Sequence, residues 1–546
     1  MTYSKLFLEN LPELTYEIIQ YFRNDFSTLY SCILVNRLWC RLAIPLLWED
    51  PFSIHVQNFQ FIEIYLGNLK EDDYLKQKLA NIVNMELIAS CSSTLFNYPS
   101  FIKRLNIHKI VYSIENWLMD DKHWEISILI YRSLFKMFIE NEGNLHSFEV
   151  EVRTSNDCDY LNDTMELTLQ NPNFTCNIRN LMFYMDIMNM IYTNIFPLLK
   201  FLCSNCNSIS SLYIGIFLIY DKFEADNCTL VEKWLTQMIN TQQNLKKISF
   251  EQNNFLYYSF SLLKNSNISN TLKIITFYTI DFKEIITNIQ EIFNQLSVLE
   301  TIHIINCRSL NSDFVQQINN ILRPFKLKSL IMSEVLLNVE LLQLLIQKFG
   351  SDLENFGFGD HYKLSIQKKK QLFESIIKYC RKIKYFSLME SDYINLALDL
   401  IENIKQNLNY LDIKFDFDKS CYDDSSIIIS KNLGQTLPSK LEFLKLDLNK
   451  IKPSKLKIFL ENFQNTFIKK LFIKITVQEK VKDILPYIKE IKEYIMKKKR
   501  VKYLAILINY KDLVSLKDEV KEFELYNIKV QNYDISYIKV IDIVNN

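Results

Sequence analysis

Apolar residues recur along most of this chain in a short template, apolar-x-x-apolar-x-apolar. Two apolar positions separated by one residue, such as Ile302 and Ile304, are typical of a β-strand with one buried face. The template alone is weak evidence, since a chain with this apolar content matches it on the order of thirty times by chance. Its spacing is stronger evidence. Successive copies at steps of 26 to 28 residues begin at Leu245, Leu272, Leu299, Leu327 and Leu353.

Helix-period segments lie between these copies. Thr229 and Glu232 form a capping box at the start of one amphipathic segment, and residues 284–297 place their apolar side chains on one stripe of another. Fifteen copies run from Ile102 to Val540, with a mean step of about 31 residues. A short strand followed by an amphipathic helix at this period predicts an α/β solenoid of alternating short parallel strands and helices.

The repeats resemble helix-bearing leucine-rich repeats. The match is best in LETIHIINC, residues 299–307, where Cys307 fills the family's buried Asn/Cys position. Most other copies lack that residue, so the repeats are degenerate. The resemblance implies a horseshoe with its strands on the concave side. An ordinary α/β domain with irregular strand–helix alternation is the alternative, although a doubly wound sheet rarely runs to so many units without glycine-rich turns.

The segment from Leu11 to Trp48 has a different pattern. Leu11-Pro12 predicts a helix start, because proline at the first helical position loses no hydrogen bond. Apolar residues at three- and four-residue steps then predict three short helices, and in the first of them Leu14, Ile18, Ile19 and Phe22 form one apolar stripe. The second should begin near Asp25 or Ser27 and the third near Asn36, with a stop or kink at Pro45. About forty residues bury too little surface for a robust domain, so a partner is expected.

This segment resembles an F-box. The run LVNRLWCRLA is similar to the family's LVSRxWRxLA segment, whereas Leu14 stands where the family often has an acidic residue. Further matches are Leu11-Pro12, Ile19, Asp25, Leu29, Cys32 and Trp48. The resemblance implies binding to a Skp-type adaptor, and through it to a cullin. The implied adaptor-binding residues are Leu11, Pro12, Ile19, Leu29, Val35, Trp39 and Trp48. The alternative is a helical cap on the repeats.

Together these patterns predict three regions in an α/β chain. They are a three-helix F-box at residues 1–50, a helical connector at 51–100 and a leucine-rich-repeat solenoid at 101–546. In a repeat array, a length of 546 residues does not indicate the number of domains.

Composition and motifs exclude several classes of protein. Hydrophobic residues make up 48% of the chain and charged residues 23%, which are globular values. The chain has only 7 glycines and no phosphate-binding glycine loop, and no nucleophile–base pair or metal cluster stands out. We therefore expect no enzyme activity, no metal and no cofactor. Cys203 and Cys206 form a lone C-x-x-C, which we interpret as core thiols.

The expected location is cytoplasmic or nuclear. The N-terminus lacks a signal-peptide pattern, and the most apolar window, residues 181–202, is interrupted by polar residues that are costly in a bilayer. No membrane association is therefore expected.

The leading functional interpretation is a substrate-recognition subunit of a Skp–cullin–F-box ubiquitin ligase, acting in ubiquitin-dependent protein degradation. Its F-box would bind the adaptor, and its repeats would bind an unknown protein substrate. The alternative is a non-ligase interaction scaffold that uses the same adaptor. A hidden enzyme and a nucleic-acid-binding protein are less favoured.

The predicted substrate site follows from strand alternation. The residues that flank the two inward apolar positions should point out onto the concave surface. Read off the repeats, they are Tyr184, Tyr213, Tyr278, His303, Tyr385, Tyr410, Asp412, Phe443, Phe472 and Tyr503. Aromatic residues are enriched at binding surfaces, but they are also common strand residues, and both interpretations stay open.

Charge is unevenly distributed. Residues 440–511 contain 19 Lys and Arg against 7 acidic residues, although the whole chain is neutral. Such a block can steer a negatively charged partner, but lysine runs more often lie on solvated helix faces. Nucleic acid is therefore an unlikely partner.

Overall fold

The computed structural model places the chain in two compact units, residues 1–271 and 272–546, called here the N-terminal and the C-terminal unit. The boundary lies inside the predicted repeat region and coincides with neither predicted domain boundary. The described residues are 12–23, 25–53, 59–68, 73–79, 94–118, 124–186, 195–217, 225–251, 256–322, 325–333, 339–359, 365–389, 394–415, 432, 434–449, 451–462, 467–476, 484–498 and 500–533.

The N-terminal unit begins with helices and continues as alternating strands and helices. Its described helices are α1 (Pro12–Tyr21), α2 (Phe26–Ile33), α3 (Arg37–Leu47), α4 (Phe61–Gly67), α5 (Asp73–Leu79), α6 (Ile107–Leu118), α7 (Trp124–Glu140), α8 (Ser155–Gln170), α9 (Pro172–Thr175), α10 (Phe196–Asn205), α11 (Ala225–Thr241), α12 (Leu256–Ser261) and α13 (Ser266–Ser269). Its strands are β1 (Arg104–Asn106), β2 (Ser147–Glu151), β3 (Asn180–Asp186), β4 (Ser211–Phe217) and β5 (Lys247–Glu251). Each strand pairs in parallel with the next in the chain.

Side-chain caps begin two of the first three helices. Asp25 Oδ1 accepts a hydrogen bond from Thr28 N at 3.2 Å, and Asn36 Oδ1 accepts one from Trp39 N at 2.9 Å. These caps satisfy backbone donors that have no partner inside the helix. Of the stop or kink predicted at Pro45, the stop is wrong, because α3 continues through Pro45 to Leu47. Proline removes one backbone hydrogen bond, and so close to the helix end that loss is tolerated.

The C-terminal unit repeats the strand–helix alternation. Its strands are β6 (Ile274–Tyr278), β7 (Thr301–Ile305), β8 (Ser329–Ser333), β9 (Asn355–Gly359), β10 (Tyr385–Met389), β11 (Tyr410–Phe415), β12 (Phe443–Asn449), β13 (Lys470–Thr476), β14 (Tyr503–Ile508), β15 (Lys511–Asp512) and β16 (Lys529–Val530). Its described helices are α14 (Ile289–Gln295), α15 (Ser312–Asn319), α16 (Val339–Phe349), α17 (Ile366–Tyr379), α18 (Ile394–Ile404), α19 (Gly434–Thr436), α20 (Pro453–Asn462), α21 (Leu485–Lys498) and α22 (Lys517–Glu524).

Short 3-10 turns complete the described elements of both units. They lie at Pro51–Ser53, Tyr98–Phe101, Leu262–Lys264, Phe282–Glu284, Ile286–Asn288, Gly350–Asp352 and Leu513–Ser515.

The predicted alternation of strands and helices is confirmed. The first fourteen template copies coincide with β1 to β14, and their two inward positions, such as Leu411 and Ile413, are buried. Strands β6 to β14 are parallel, each paired with the next along the chain. The fifteenth copy, at residues 535–540, lies outside the described residues. Two very short strands were not predicted: β15 pairs antiparallel and β16 pairs parallel with β14.

A backbone ladder precedes the strands. The carbonyl of the residue before most strands accepts two N–H groups of the next repeat: Glu300 O accepts from Lys328 N at 2.8 Å and from Ser329 N at 3.0 Å. In the N-terminal unit these ladder residues are Lys103, His146, Arg179 and Ser210, and Glu49 O accepts from Lys103 N and Arg104 N in the same way. In the C-terminal unit they are Lys273, Glu300, Lys328, Glu354, Lys384, Asn409, Glu442 and Lys469, whereas Lys502 O accepts one such bond, from Lys529 N. These backbone hydrogen bonds therefore recur with the same period as the apolar template of the sequence.

Cys307 lies at the position that the sequence match assigned to it. Its buried sulfur accepts a hydrogen bond from Ile280 N of the preceding repeat at 3.4 Å and is 3.3 Å from Ile305 O. Thr279 and Asn306, just after β6 and β7, share the left-handed conformation, with φ of 55° and 52°. The two repeats therefore turn in the same way.

Candidate binding surfaces

The first three helices share a small core. Ile19, Leu29, Cys32, Ala43 and Leu46 are buried in it. Two of the predicted adaptor-binding residues, Ile19 and Leu29, are fully buried, so they hold the helices together and are not available to a partner.

A second group of apolar residues on these helices is exposed. Leu34 is 74% exposed and Val35 is 53% exposed, just after α2. We call this group the helical surface; its members are Leu14, Tyr16, Ile18, Tyr21, Tyr30, Leu34 and Val35. The sequence pattern predicted that Leu14 and Ile18 are buried on the apolar face of α1. In the structure the face that carries Ile19 packs on the core, and Leu14 and Ile18 are exposed. Exposed apolar groups concentrated in one short segment indicate an interaction site.

The remaining predicted adaptor-binding residues are distributed around the core. Pro12 is the first residue of α1, and Leu11 lies outside the described residues. Trp39 is partly buried and packs against the helical core. Trp48 packs on Tyr65 and Tyr98, at ring-centroid distances of 5.2 and 4.2 Å, and so joins the helices to the segment that follows them.

The outward strand face of the C-terminal unit consists of side chains that alternate with the buried core along β8 to β14. The register aligns Tyr385, Tyr410 and Phe443 in one row, and Ser387, Asp412 and Lys445 in the next. All of the predicted substrate-binding residues on these strands therefore point away from the leucine and isoleucine core, as expected.

Burial on this face differs from the prediction. Tyr385 (4% exposed), Phe443 (2%) and Phe472 (3%) are buried in a cluster with Ile331, Ala505, Leu507 and Tyr533, and Tyr410 packs against it. The rings of Phe443 and Phe472 are 5.2 Å apart and nearly perpendicular. Strand alternation tells which side chains share a face, but not what covers that face. The expectation that these residues lie open on the surface is therefore wrong for Tyr385, Phe443 and Phe472.

Charged residues flank this aromatic cluster. Lys445 Nζ is 2.9 Å from Asp412 Oδ2, and both side chains are buried. Asp447 lies 3.7 Å from Lys474, and burial raises the pKa of Asp447 in spite of the neighbouring lysines. The Oδ1 atom of Asp447 has no hydrogen-bond partner among the residues that the structure describes.

The other predicted substrate-binding residues vary in exposure. Tyr184, Tyr213, Tyr278 and Tyr503 are partly exposed, whereas His303 is fully buried with Nε2 3.2 Å from Ser329 Oγ. Their role in substrate binding stays a prediction. The exposed tyrosines are in a position to contact a partner, and the buried His303 is not.

A polar network that the sequence did not reveal lies at the carboxyl ends of β1 and β2 in the N-terminal unit. His108 Nδ1 is 3.2 Å from Asp157 Oδ1, and Asp157 also accepts hydrogen bonds from Arg153 N and Thr154 N. The hydrogen bond to Asp157 raises the pKa of His108. Burial alone would raise the pKa of Asp157, but its hydrogen bonds outweigh burial and lower it. Asp157 is part of the capping box of α8, so the network is first of all a structural device.

The neighbouring strands contribute further polar groups. Asn106 Nδ2 donates to Glu149 and Glu151, each at 2.6 Å, and Arg153 lies 5.0 Å from the ring centroid of Tyr184. Burial raises the pKa of Glu149. No single residue in the sequence could have revealed the network, because its members come from β1, α6, β2, α8 and β3.

The two thiols of the C-x-x-C lie in the core. Cys203 Sγ donates to Trp234 O and Cys206 Sγ to Thr175 O, each at 3.3 Å. Burial raises the pKa of each thiol to about 12, which disfavours the thiolate that metals bind. Among the described residues, no group of three or more potential ligands is placed to hold a metal ion. None of the described helices is long and apolar enough to cross a bilayer.

Several lysines of the basic segment have acidic neighbours. Lys457, Lys469 and Lys492 lie within 4 Å of Glu490, Glu442 and Glu519 respectively. Glu442 and Glu490 are among the segment's own 7 acidic residues, whereas Glu519 lies outside the segment.

Comparison with known proteins found a distant structural likeness. No model of a known protein family matches the chain, and no curated protein matches its sequence. One matching solved structure is the leucine-rich repeat-containing protein LegL7 from Legionella pneumophila, with 13% identity and a TM-score of 0.33 over 58% of this chain and 91% of that one. So distant a likeness carries no argument by itself. The structure itself shows an α/β fold in which short parallel strands alternate with helices, and this arrangement is consistent with leucine-rich repeats.

Proposed function

We propose that this protein is the substrate-recognition subunit of a Skp–cullin–F-box ubiquitin ligase. Its first three helices bind the Skp-type adaptor, and its repeats bind the protein to be ubiquitinated. It performs no chemistry itself.

The observation that carries the proposal is the helical surface. A three-helix segment with a core of five buried residues exposes seven large apolar side chains between residues 14 and 35. Leaving them in water is unfavourable, at roughly 25 cal/mol per Å² of apolar area, and an adaptor would cover them. The F-box resemblance of the same segment names the partner.

The repeat region supports the second half of the proposal. Parallel strands with one side chain per repeat at each register position present long rows of residues, which suit an extended protein partner. Tyr184, Tyr213, Tyr278, Tyr410 and Tyr503 are partly exposed aromatic residues in these rows. Rigid rings with a polar tip are favoured at protein interfaces.

The test is adaptor binding by the full chain with a Leu34→Glu/Val35→Glu double substitution. Both residues are exposed, so the fold should be retained while the apolar contact is lost. Central contacts of this kind contribute ~2–4 kcal/mol to the free energy of binding. We therefore expect at least a thirtyfold loss of adaptor affinity, measured by isothermal titration calorimetry or surface plasmon resonance.

Leu322→Glu is the matched control, because Leu322 is 84% exposed and lies in the C-terminal unit. It should bind the adaptor as well as the unchanged protein. Trp39→Ala is a less specific variant, since Trp39 packs on the helical core and its loss affects folding as well as binding. Unchanged adaptor affinity in a folded Leu34→Glu/Val35→Glu protein would overturn the proposal. An adaptor complex that recruits no cullin would favour the scaffold alternative.

A further inference from the structure

The outward strand face of the N-terminal unit carries four residues at one register position, called here the outward row. Glu151 on β2 pairs with Tyr184 on β3. Tyr184 pairs in turn with Gly215 on β4, which pairs with Glu251 on β5. Side chains at one register position of a parallel sheet share a face, and neighbouring strands are ~4.8 Å apart. The outward row therefore has a carboxylate at each end, with a tyrosine and a glycine between them.

The chain itself supplies a cation to the first carboxylate of the row. Arg153 Nε donates a hydrogen bond to Glu151 Oε1 at 2.5 Å, and the guanidinium lies 5.0 Å from the ring centroid of Tyr184. A planar guanidinium suits this arrangement, because it can stack on an aromatic ring and donate to a carboxylate at the same time. The first half of the outward row thus binds an arginine of the same chain.

Glu251, at the other end of the row, has no such cation. It is partly exposed, and its carboxylate makes no hydrogen bond or ion pair with the residues that the structure describes. Lys247 lies four residues earlier on β5, ~13 Å away along the strand. Burial raises the pKa of Glu251, and the charge of Arg153 opposes this only in part. A cation from a partner would offset the cost of desolvating this carboxylate.

Two tyrosine rings lie beside Glu251 because residue 215 is a glycine. A Cβ atom on Gly215 would lie 3.0 Å from Tyr184 Cδ2, 3.2 Å from Tyr213 Cε1 and 3.6 Å from Glu251 Cβ. The rings can approach each other over β4 only because that atom is absent. Phe217 packs edge-on against Tyr184, with ring centroids 5.0 Å apart, and both tyrosines are partly exposed. Two partly exposed rings and a carboxylate therefore meet over Gly215.

We propose that the second half of the outward row is a docking site for an arginine side chain of a protein partner. The partner's guanidinium stacks on the tyrosine rings over Gly215 and donates hydrogen bonds to Glu251. It repeats there the contacts that Arg153 makes with Tyr184 and Glu151.

The charge and shape of the site define the partner. Arginine fits better than lysine, since its planar fork can stack on a ring and donate to both oxygens of one carboxylate. Nucleic acid does not fit, because a carboxylate repels phosphate. The partner is therefore a protein with an accessible arginine-containing segment. That this protein is the ligase substrate rests on the proposed function; the arginine site itself does not.

The first experiment measures peptide binding by the full chain at physiological ionic strength. Fluorescein-labelled octa-arginine should bind, as followed by fluorescence anisotropy, and octa-lysine should bind at least fivefold more weakly. Octa-citrulline, the neutral counterpart of octa-arginine, should not bind. Equal affinities for octa-arginine and octa-lysine would overturn the proposal, because they would show that charge alone is recognised.

Glu251→Gln tests the carboxylate, and it should weaken octa-arginine binding at least fivefold. Glu232→Gln is the matched control: Glu232 is also partly exposed and has a pKa raised by burial, but it lies on α11. It should bind octa-arginine as the unchanged chain does. Equal affinities of the two folded variants would refute the assignment of the site to Glu251.

The ring is tested separately. Tyr184→Leu should weaken octa-arginine binding at least fivefold, whereas Tyr184→Phe keeps the aromatic face and should bind normally. Circular dichroism of each variant checks that the fold is retained. A Tyr184→Leu protein that is folded and binds as well as Tyr184→Phe would contradict stacking on this ring.

The second experiment uses the unchanged chain, so it does not depend on any variant folding. Octa-arginine that carries a benzophenone group is bound to the full chain and irradiated, and the cross-linked peptides are identified by mass spectrometry. Cross-links should fall on β3, β4 and β5. Cross-links confined to the C-terminal unit would overturn the proposal. Neither experiment involves the adaptor, so the failure of this proposal and the failure of the proposed function are distinguishable.

Discussion

Ionisation of His108 and of Asp157 makes the free energy of unfolding depend on pH. The folded-state pKa of His108 is raised above 6.5, so its contribution is fully present below about pH 6.5 and is lost as pH rises through the folded-state value. The folded-state pKa of Asp157 is lowered below 3.8, so its contribution is present above about pH 4 and is lost as pH falls further.

We expect His108→Gln to lower the melting temperature at pH 5.5 and to have a smaller effect at pH 8.5. Calorimetric melting of both proteins at the two pH values measures this difference. His55→Gln is not a suitable control, because residue 55 lies outside the described residues. His146→Gln is suitable, since burial lowers the pKa of His146 and the pH trend should be the opposite. Equal losses from His108→Gln at both pH values would contradict the assignment.

Removing one partner of the buried pair of Asp412 and Lys445 should lower the free energy of unfolding more than removing one partner of an exposed pair. Lys445→Met leaves the Asp412 carboxylate buried without its cation, which typically costs ~3–5 kcal/mol, whereas replacing both residues with apolar ones is often close to neutral. We therefore expect Lys445→Met to destabilise the C-terminal unit strongly and Asp412→Leu/Lys445→Met to recover most of the loss. Urea unfolding measures both.

The exposed pair of Lys382 and Asp352, 2.8 Å apart, is the control for this comparison. Lys382→Met should cost less than about 1 kcal/mol. A loss from Lys445→Met as small as that from Lys382→Met would show that Asp412 finds other partners.

Among the elements, α3 depends on its first residue. Asn36 caps the helix through Trp39 N, and loss of such a cap typically costs ~1 kcal/mol. Asn36→Ala should lower the stability of the N-terminal helices by that amount and weaken adaptor binding in proportion. Asn36→Asp retains an acceptor and should retain stability. Thermal melting followed by circular dichroism would reveal the difference, and equal melting of both variants would argue against the cap.

The strands were predictable because their signal is local. Leu411 and Ile413 alternate with outward residues, and that alternation is visible within three residues of sequence. The burial of Phe443 was not predictable in this way, because it depends on neighbours such as Phe472 in the next repeat and Tyr533 ninety residues later. The exposure of Leu14 was missed for a related reason: a stripe of Leu14, Ile18 and Ile19 is wide enough for a helix to bury either edge.

The whole chain has no net charge, and many of its charged side chains lie beside one of opposite charge. Lys457, Lys469 and Lys492 already have carboxylate neighbours, so these lysines of the basic segment are less available to phosphate groups. We expect weak binding of duplex DNA, with a shallow dependence on salt between 50 and 200 mM, measured by fluorescence anisotropy. A loss of affinity of ~10³-fold or more over that range would instead indicate six or more phosphate contacts.

The ladder of the C-terminal unit has an alternation of its own. From Lys273 through Glu300, Lys328 and Glu354 to Lys384, positive and negative side chains take turns, and Glu300 lies 3.7 and 3.2 Å from the two lysines beside it. Loss of one repeat from this stretch would bring like charges together, whereas loss of two would restore the order. Each mismatch costs only a few tenths of a kcal/mol, on the order of other exposed charge pairs. The ladder is therefore a charge register that deletion of two adjacent repeats leaves intact and deletion of one does not.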